Sequence, residues 1–201
     1  MSERTLSSRF LHQFVETIAS ELGQENLSTV LEKAGLPPEW SNSARWGSSS
    51  DTSAAEAYAS LQKAVRTYYG RGARSILMRV GSGLWPRLLD DAPLTLKVQF
   101  KLVHGLPVTT RRKATLELLA RLLGNHRSDV TVHAVDLELL LVDHASPGTV
   151  GQSETEQICF VTLGLLRECL FWATSQEHDI AENSCRANGE EICEFKISVG
   201  G

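Results

Sequence analysis

The chain lacks any apolar run that approaches the roughly 20 residues of a membrane-spanning helix. It also lacks an amino-terminal apolar stretch of signal-peptide type, so we expect a reducing, cytoplasmic location in which thiols stay unpaired. A formal charge of −4 gives no general attraction to nucleic acid, and none is expected as a direct partner. The 201 residues, 42% apolar, suffice for one domain, predicted as an amino-terminal helical extension (1–50) and a core (51–201).

Motifs for catalysis are also missing, and no catalytic residue is assigned. Gly81-Ser-Gly83 has no preceding strand, third glycine or lysine of a nucleotide loop, so it predicts close helix packing. The basic cluster Arg111-Arg112-Lys113 is typical of a solvated helix start rather than of a DNA-binding surface. The histidines are scattered, without a nucleophile or metal motif: His12, His104, His126, His133, His144 and His178.

Apolar residues at helical spacing predict that helices fill most of the first 125 residues. The expected helices are 5–22, a short one about 27–34, 51–70, 73–89, 94–104 and 108–123. Asp51 and Ser53 are both plausible N-caps of the third. The segment from Trp40 to Ser50 is predicted to be a loop whose tryptophans pack on the domain or on a partner chain.

The pattern changes to alternation after residue 129, which predicts strands. Two are expected at 130–134 and 137–141, and two more near 177–185 and 191–198. Between the pairs, residues 160–174 are apolar nearly all round, as in a helix buried between layers. The predicted fold class is α+β, with amino-terminal helices packed on a carboxy-terminal antiparallel sheet and a helix that crosses the sheet.

The residues that call for a chemical explanation are Cys159, Glu182, Cys185 and Cys193. Three thiolates and a carboxylate suit a tetrahedral Zn²⁺. A polar turn with a glycine between Cys185 and Cys193 predicts a hairpin, in which a bend or bulge lets Glu182 approach Cys185. Packing thiols and disulfides are the alternatives, and for Cys169, which fits no metal spacing, packing is the prediction.

The tail resembles the 4-vinyl reductase, or hydrocarbon-binding, domain family. The resemblance rests on Cys159, Glu182-x-x-Cys185, Gly189 and Cys193-Glu-Phe-Lys-Ile, about the last fifth of the chain. It is similar to the aromatic-sensing domains of activators that respond to phenols and xylenes, and to the ligand-binding fold shared by NO-signalling and Golgi-transport proteins. The resemblance implies a structural Zn²⁺ held by Cys159, Glu182, Cys185 and Cys193, whose four ligands leave no position open for catalysis.

The function that this resemblance implies is a small-molecule binding or sensing module for a hydrophobic, aromatic or tetrapyrrole ligand. The expected pocket lies between the helices and the sheet. An enzyme or accessory protein of bacteriochlorophyll vinyl reduction and an assembly subunit are the alternatives. The expected assembly is a homodimer, to which the amino-terminal helix is suited. The candidate lining residues are large and lie near this pocket: Trp85, Phe100, Val103, Leu141 and Phe171.

Overall fold

The computed structural model describes residues 5–41 and 53–198 and has the predicted α+β architecture. The helices are α1 (Ser8–Leu22), α2 (Gln24–Lys33), α3 (Ala54–Tyr69), α4 (Ala73–Asp91), α5 (Leu94–Val103), α6 (Val108–Leu123) and α7 (Phe160–Thr174). The strands are β1 (Val130–Val135), β2 (Glu138–Asp143), β3 (Ile180–Ser184) and β4 (Cys193–Ser198). No helix among the described residues is long and apolar enough to cross a membrane.

Local sequence explains where several elements begin. Ser53 caps α3 in a capping box, because its side chain accepts from the Glu56 N–H while the Glu56 carboxylate accepts from the Ser53 N–H. The alternative cap, Asp51, lies outside the described residues, as does Trp46. Trp40 lies in a short 3-10 helix, Pro38–Ser41, where its side chain is buried. The packing predicted for Trp40 is therefore confirmed.

The sheet is antiparallel throughout, with the strand order β1-β2-β4-β3. The central strands β2 and β4 come from opposite sides of α7 in the sequence and pair Leu139 with Ile197 and Leu141 with Phe195. These four side chains are buried, so one face of the sheet closes the hydrophobic core. Because α7 connects the two halves of this sheet, the ends of α7 are fixed relative to the strands.

Helices α4 and α7 pack against each other with almost no space between their backbones. A Cβ at Gly164 would collide with the backbone carbonyl of Met78, and one at Gly81 with that of Val161. The Ser82 hydroxyl donates to the Gly164 carbonyl at 3.2 Å across the same contact. The close packing predicted at Gly81 is confirmed, and Gly164 supplies the matching gap on α7.

Two arginines at the start of α6 are more enclosed than the sequence indicated. The Arg111 guanidinium donates to the carbonyls of His104, Leu106 and Ala173, which ties α6 to the ends of α5 and α7. Arg112 is 7% exposed and donates to the Gln176 side chain, whereas Lys113 is exposed. The solvated helix start predicted here is correct for Lys113 and wrong for Arg112.

We predict that Gly164→Ala lowers the free energy of unfolding by about 1–3 kcal/mol or more, because the added methyl group forces α4 and α7 apart. Gly72→Ala is the matched control, since a Cβ there meets no atom within 4 Å. Urea denaturation followed by circular dichroism measures both. Equal stability of the two variants would contradict the packing described here.

Candidate functional site

Four side chains separated by up to 34 residues meet at the junction of α7 with the β3–β4 hairpin. Cys159 is the residue before α7, Glu182 lies in β3, Cys185 follows β3, and Cys193 begins β4. The β3–β4 register shifts between Glu182 and Ser184, which is the irregularity expected from the sequence. Gly189, at φ 96°, completes the turn that returns the chain to Cys193.

The spacing of these groups fits one small cation. The four ligand atoms all lie within 4.8 Å of one another. The Sγ atom of Cys159 is 3.6 Å from that of Cys193 and 3.8 Å from that of Cys185. Metal–sulfur bonds of about 2.3 Å in a tetrahedron place two sulfurs about 3.8 Å apart, whereas a disulfide bond is about 2.05 Å long. The geometry therefore suits a shared ion and not a disulfide.

The carboxylate of Glu182 is only partly compensated by protein groups. Its Oε2 atom accepts from the Cys159 N–H at 3.0 Å, and its Oε1 atom is buried without a hydrogen-bond partner among the described residues. Burial, followed by the negative charge of Cys185, raises the pKa of Glu182 to about 8. A cation at the centre of the cluster would favour the ionised form and occupy the free oxygen.

The three thiols act on one another. Hydrogen bonds from the thiols of Cys159 and Cys193 lower the pKa of Cys185, since a thiolate there accepts from both neighbours. The hydrogen bonds to Cys185 and Cys193, together with burial, raise the pKa of Cys159 well above its ordinary value. The protein alone therefore accommodates one thiolate in this cluster, and further ionisation needs a positive charge.

Cys169 lies apart from this cluster on the buried side of α7. It is fully buried in the hydrophobic core, as predicted for a packing residue. Burial raises the pKa of its thiol well above the ordinary value. Cys169 therefore serves as an internal reference for experiments on the other three.

The five residues predicted to line a ligand pocket lie in different surroundings. Trp85 and Phe100 are buried and in contact, with ring centroids 5.3 Å apart. Leu141 is buried in β2, and Val103 borders an apolar groove of about 320 Å³ between α5 and α6. Phe171 points outward and is 48% exposed. The structure thus brings two of the five into direct ring contact.

The aromatic cluster around Trp85 includes two side chains that the sequence did not single out as its members. The Trp172 ring lies 5.5 Å from that of Trp85 and 5.9 Å from that of Phe100, and the His104 ring packs on Trp172 at 4.4 Å. Sequence periodicity assigned Phe171 instead of its neighbour. Because α7 is apolar on nearly every side, its helical phase is not encoded in the apolar pattern.

No family model matches the chain, and no curated protein matches it. Several solved structures do match the chain. An unliganded Fe(II) H-NOX protein from K. algicida is 14% identical, with a TM-score of 0.61 and 96% of each chain covered. An H-NOX protein from S. oneidensis in the Fe(II)NO state is 14% identical, with a TM-score of 0.59, 98% of this chain and 100% of that chain covered. The chain has the H-NOX fold.

An oxygen-binding H-NOX domain related to soluble guanylate cyclases is also 14% identical, at a TM-score of 0.53, and covers 92% of this chain and 90% of its own. These likenesses confirm the part of the expectation that named an NO-signalling ligand-binding fold. They do not support membership of the 4-vinyl reductase family. At this identity the comparison shows the fold alone.

The cofactor prediction, a structural Zn²⁺, is wrong on these comparisons. The similar H-NOX structures are described with Fe(II) and heme rather than with zinc. The zinc prediction rested on a resemblance to the 4-vinyl reductase family, and no family model matches the chain. The four side chains do converge, but their convergence does not identify an ion. A bound ion at these side chains can therefore be argued only from their geometry.

All four cysteines are buried, and this burial has a direct chemical consequence. We predict that a thiol reagent such as Ellman's reagent modifies less than one thiol per chain rapidly in the native protein, and all four in denaturant. Thiol exchange requires an accessible thiolate, which the fold withholds. Rapid modification of two or more native thiols would contradict the placement of the cluster.

Proposed function

We propose that the chain is a small-molecule sensing domain of the 4-vinyl reductase kind, whose ligand is a single aromatic ring with a hydrogen-bond acceptor. The ligand site is the aromatic cluster formed by Trp85 on α4, Phe100 on α5 and Trp172 on α7. Three lines support the proposal: the sensor-type fold, the resemblance of the tail, and an unsatisfied polar group inside the cluster.

The unsatisfied group is the indole N–H of Trp85, and the proposal rests mainly on its lack of a hydrogen-bond partner among the described residues. Trp85 is 2% exposed, and its Nε1 atom has no hydrogen-bond partner among the described residues. A buried donor without an acceptor costs about 1–3 kcal/mol. A phenol oxygen or a carbonyl placed against this N–H would recover that energy, and the surrounding rings would hold the ligand edge-to-face.

Access to the cluster is provided by its outer members. Trp172 is partly buried, and His104, which packs on its ring, is exposed at the end of α5. In this proposal a ligand reaches Trp85 only when these two side chains rotate aside. The proposal does not depend on the remaining predicted lining residues, which are Val103, Leu141 and Phe171.

Haem, described for similar H-NOX proteins, suits neither the cleft beside β3 nor the space between α4, α5 and α7. A haem iron is held by a His, Cys, Met or Tyr side chain. A cleft of about 890 Å³ beside β3 has none of these types among its lining residues. The space between α4, α5 and α7 is filled by the three aromatic rings. A single ring would require one of these side chains to move aside, whereas a tetrapyrrole would require all three to move.

We predict that phenol binds to the protein and that Trp85→Phe weakens phenol binding roughly tenfold, the value of one hydrogen bond. Toluene, which has no acceptor, binds the variant and the wild type equally. Tryptophan fluorescence and thermal shift report both ligands. Trp40→Phe is the control, because it removes an indole outside the cluster. Unchanged phenol affinity in Trp85→Phe would contradict the proposed donor.

We further propose that Cys159, Glu182, Cys185 and Cys193 bind a soft, thiophilic cation. Support comes from the convergence of the ligand atoms within 4.8 Å and from the unpartnered oxygen of Glu182. Thiolate-rich sites select soft metals, and four protein ligands leave a tetrahedral ion without an open position. Such a site supports binding rather than catalysis and fastens the hairpin to the start of α7.

We predict that the protein binds one equivalent of Co²⁺, with thiolate-to-metal absorbance, and that Cys185→Ala abolishes this signal. Cys169→Ala, a buried cysteine outside the cluster, retains it. Glu182→Gln provides a second test that keeps all thiols, with circular dichroism as the check on folding. Equal Co²⁺ binding by Cys185→Ala and Cys169→Ala would refute the ligand set.

The other functions drawn from the resemblance have less support. The apolar face of α1 packs inside the chain, where Phe14 contacts Tyr58 at 4.5 Å, so this face is not free for a partner. A homodimer and an assembly role therefore stay predictions without an assigned surface. A role in bacteriochlorophyll vinyl reduction rests on the resemblance alone.

A further inference from the structure

A cleft of about 890 Å³ borders the thiol cluster at Glu182 and shares no lining residue with the aromatic site. One wall is formed by the end of α3 and the start of α4, and the other by residues 154–158, the start of α7, and β3. Its volume is within the range of about 300–1,000 Å³ that is usual for small-molecule sites.

The first wall carries four basic side chains. Lys63, Arg71 and Arg74 are exposed and have no ion-pair partner among the described residues. Arg66 is more enclosed, at 14% side-chain exposure, and its Nη2 donates to Gln152 at 2.9 Å and to Glu154 at 3.0 Å. Its Nη1 is buried and has no partner. One guanidinium is thus already oriented and keeps an unused donor.

The start of α4 adds to this positive potential. The helix begins at Ala73 beside Arg71 and Arg74, with no side-chain cap and no acidic residue in its first turn. A 3-10 turn, Gly70–Gly72, leads directly into the helix, and the Ala73 N–H donates to the Gly70 carbonyl, so the helix contributes its dipole rather than free N–H groups. The basic wall therefore concentrates positive potential in a concave site, where charges act more strongly than on a flat surface.

The opposite wall combines acidic and apolar groups. Glu154 is paired with Arg66, which leaves the exposed Glu156 and Asp179 and the half-buried Glu182 of the thiol cluster as the other carboxylates of that wall. Between the charged groups runs an apolar strip of Ile158, Phe160 and Ile180. The Arg74 guanidinium lies over the Phe160 ring at 5.7 Å, so the basic wall and the apolar strip meet there.

We propose that this cleft is a second ligand site, for a small organic oxyanion whose phosphate or carboxylate binds the basic wall and whose apolar part packs on Phe160. Arginine forks match both oxyanions, and the acidic residues across the cleft exclude larger polyanions. The site is separate from the aromatic cluster around Trp85, so the two proposals succeed or fail independently.

The test is calorimetric titration of the full chain at low salt with phenyl phosphate, benzoate and inorganic phosphate. Comparison of phenyl phosphate with benzoate shows whether the site prefers a phosphate or a carboxylate. Inorganic phosphate lacks the apolar part and so measures binding of the anionic group alone. We expect one or both aromatic anions to bind more tightly than inorganic phosphate. The Arg71→Gln/Arg74→Gln double variant should lose roughly tenfold or more in affinity. Both side chains are exposed, so the fold should be retained.

Two controls make the outcome decisive. Arg127→Gln removes a positive charge from an exposed turn outside the cleft and should leave binding unchanged. Trp85→Phe, which tests the aromatic cluster, should weaken binding of either aromatic anion less than the double variant does, and should leave binding of inorganic phosphate, which has no ring, unchanged. No binding by any probe, or equal losses in Arg127→Gln and the double variant, overturns the proposal. A larger loss in Trp85→Phe than in the double variant overturns it as well, by assigning the anions to the aromatic cluster.

Discussion

The close contact between α4 and α7 is the constraint on which the candidate sites depend. Gly81 and Gly164 allow the two helices to approach to backbone distance, and any side chain there would separate them. The contact sets Trp172 of α7 against Trp85 of α4 and places Cys159, just before α7, over the hairpin. A shift of α7 would therefore alter the aromatic cluster and the thiol cluster together.

Under the proposed function, this coupling would provide a physical basis for sensing. A ligand beside Trp85 would displace Trp172, and α7 would pass that displacement to the strands through the contacts at its two ends. Arg111 holds the carboxyl end by hydrogen bonding the Ala173 carbonyl, and the thiol cluster holds the amino end through Cys159. The fold is shared with H-NOX proteins that are described with NO and haem, yet here aromatic side chains lie between α4, α5 and α7. Fold and ligand are thus separable.

Sequence reasoning predicted the fold where the signal is local. Helix ends and the β3–β4 hairpin, with its irregularity at Glu182, follow from spacing and turn chemistry, whereas Cys159 was joined to this set by the resemblance. Sequence reasoning was less successful where tertiary packing determines which side chains meet. Phe171 was chosen over Trp172 because an all-apolar helix has no readable phase, and the identity of the ion was taken from a resemblance that the comparisons did not support. The basic cleft joins α3, α4 and β3, which no local pattern connects.

If the buried indole N–H of Trp85 is the hydrogen-bond donor for the ligand, its resonance must respond when the ligand binds. Nuclear magnetic resonance of ¹⁵N-labelled protein observes each tryptophan indole N–H separately, and Trp85→Phe assigns the relevant signal. With phenol added, we expect a downfield shift and slower solvent exchange of the Trp85 signal. A Trp85 signal that stays unchanged at saturating phenol, while another indole responds, would contradict the proposed donor.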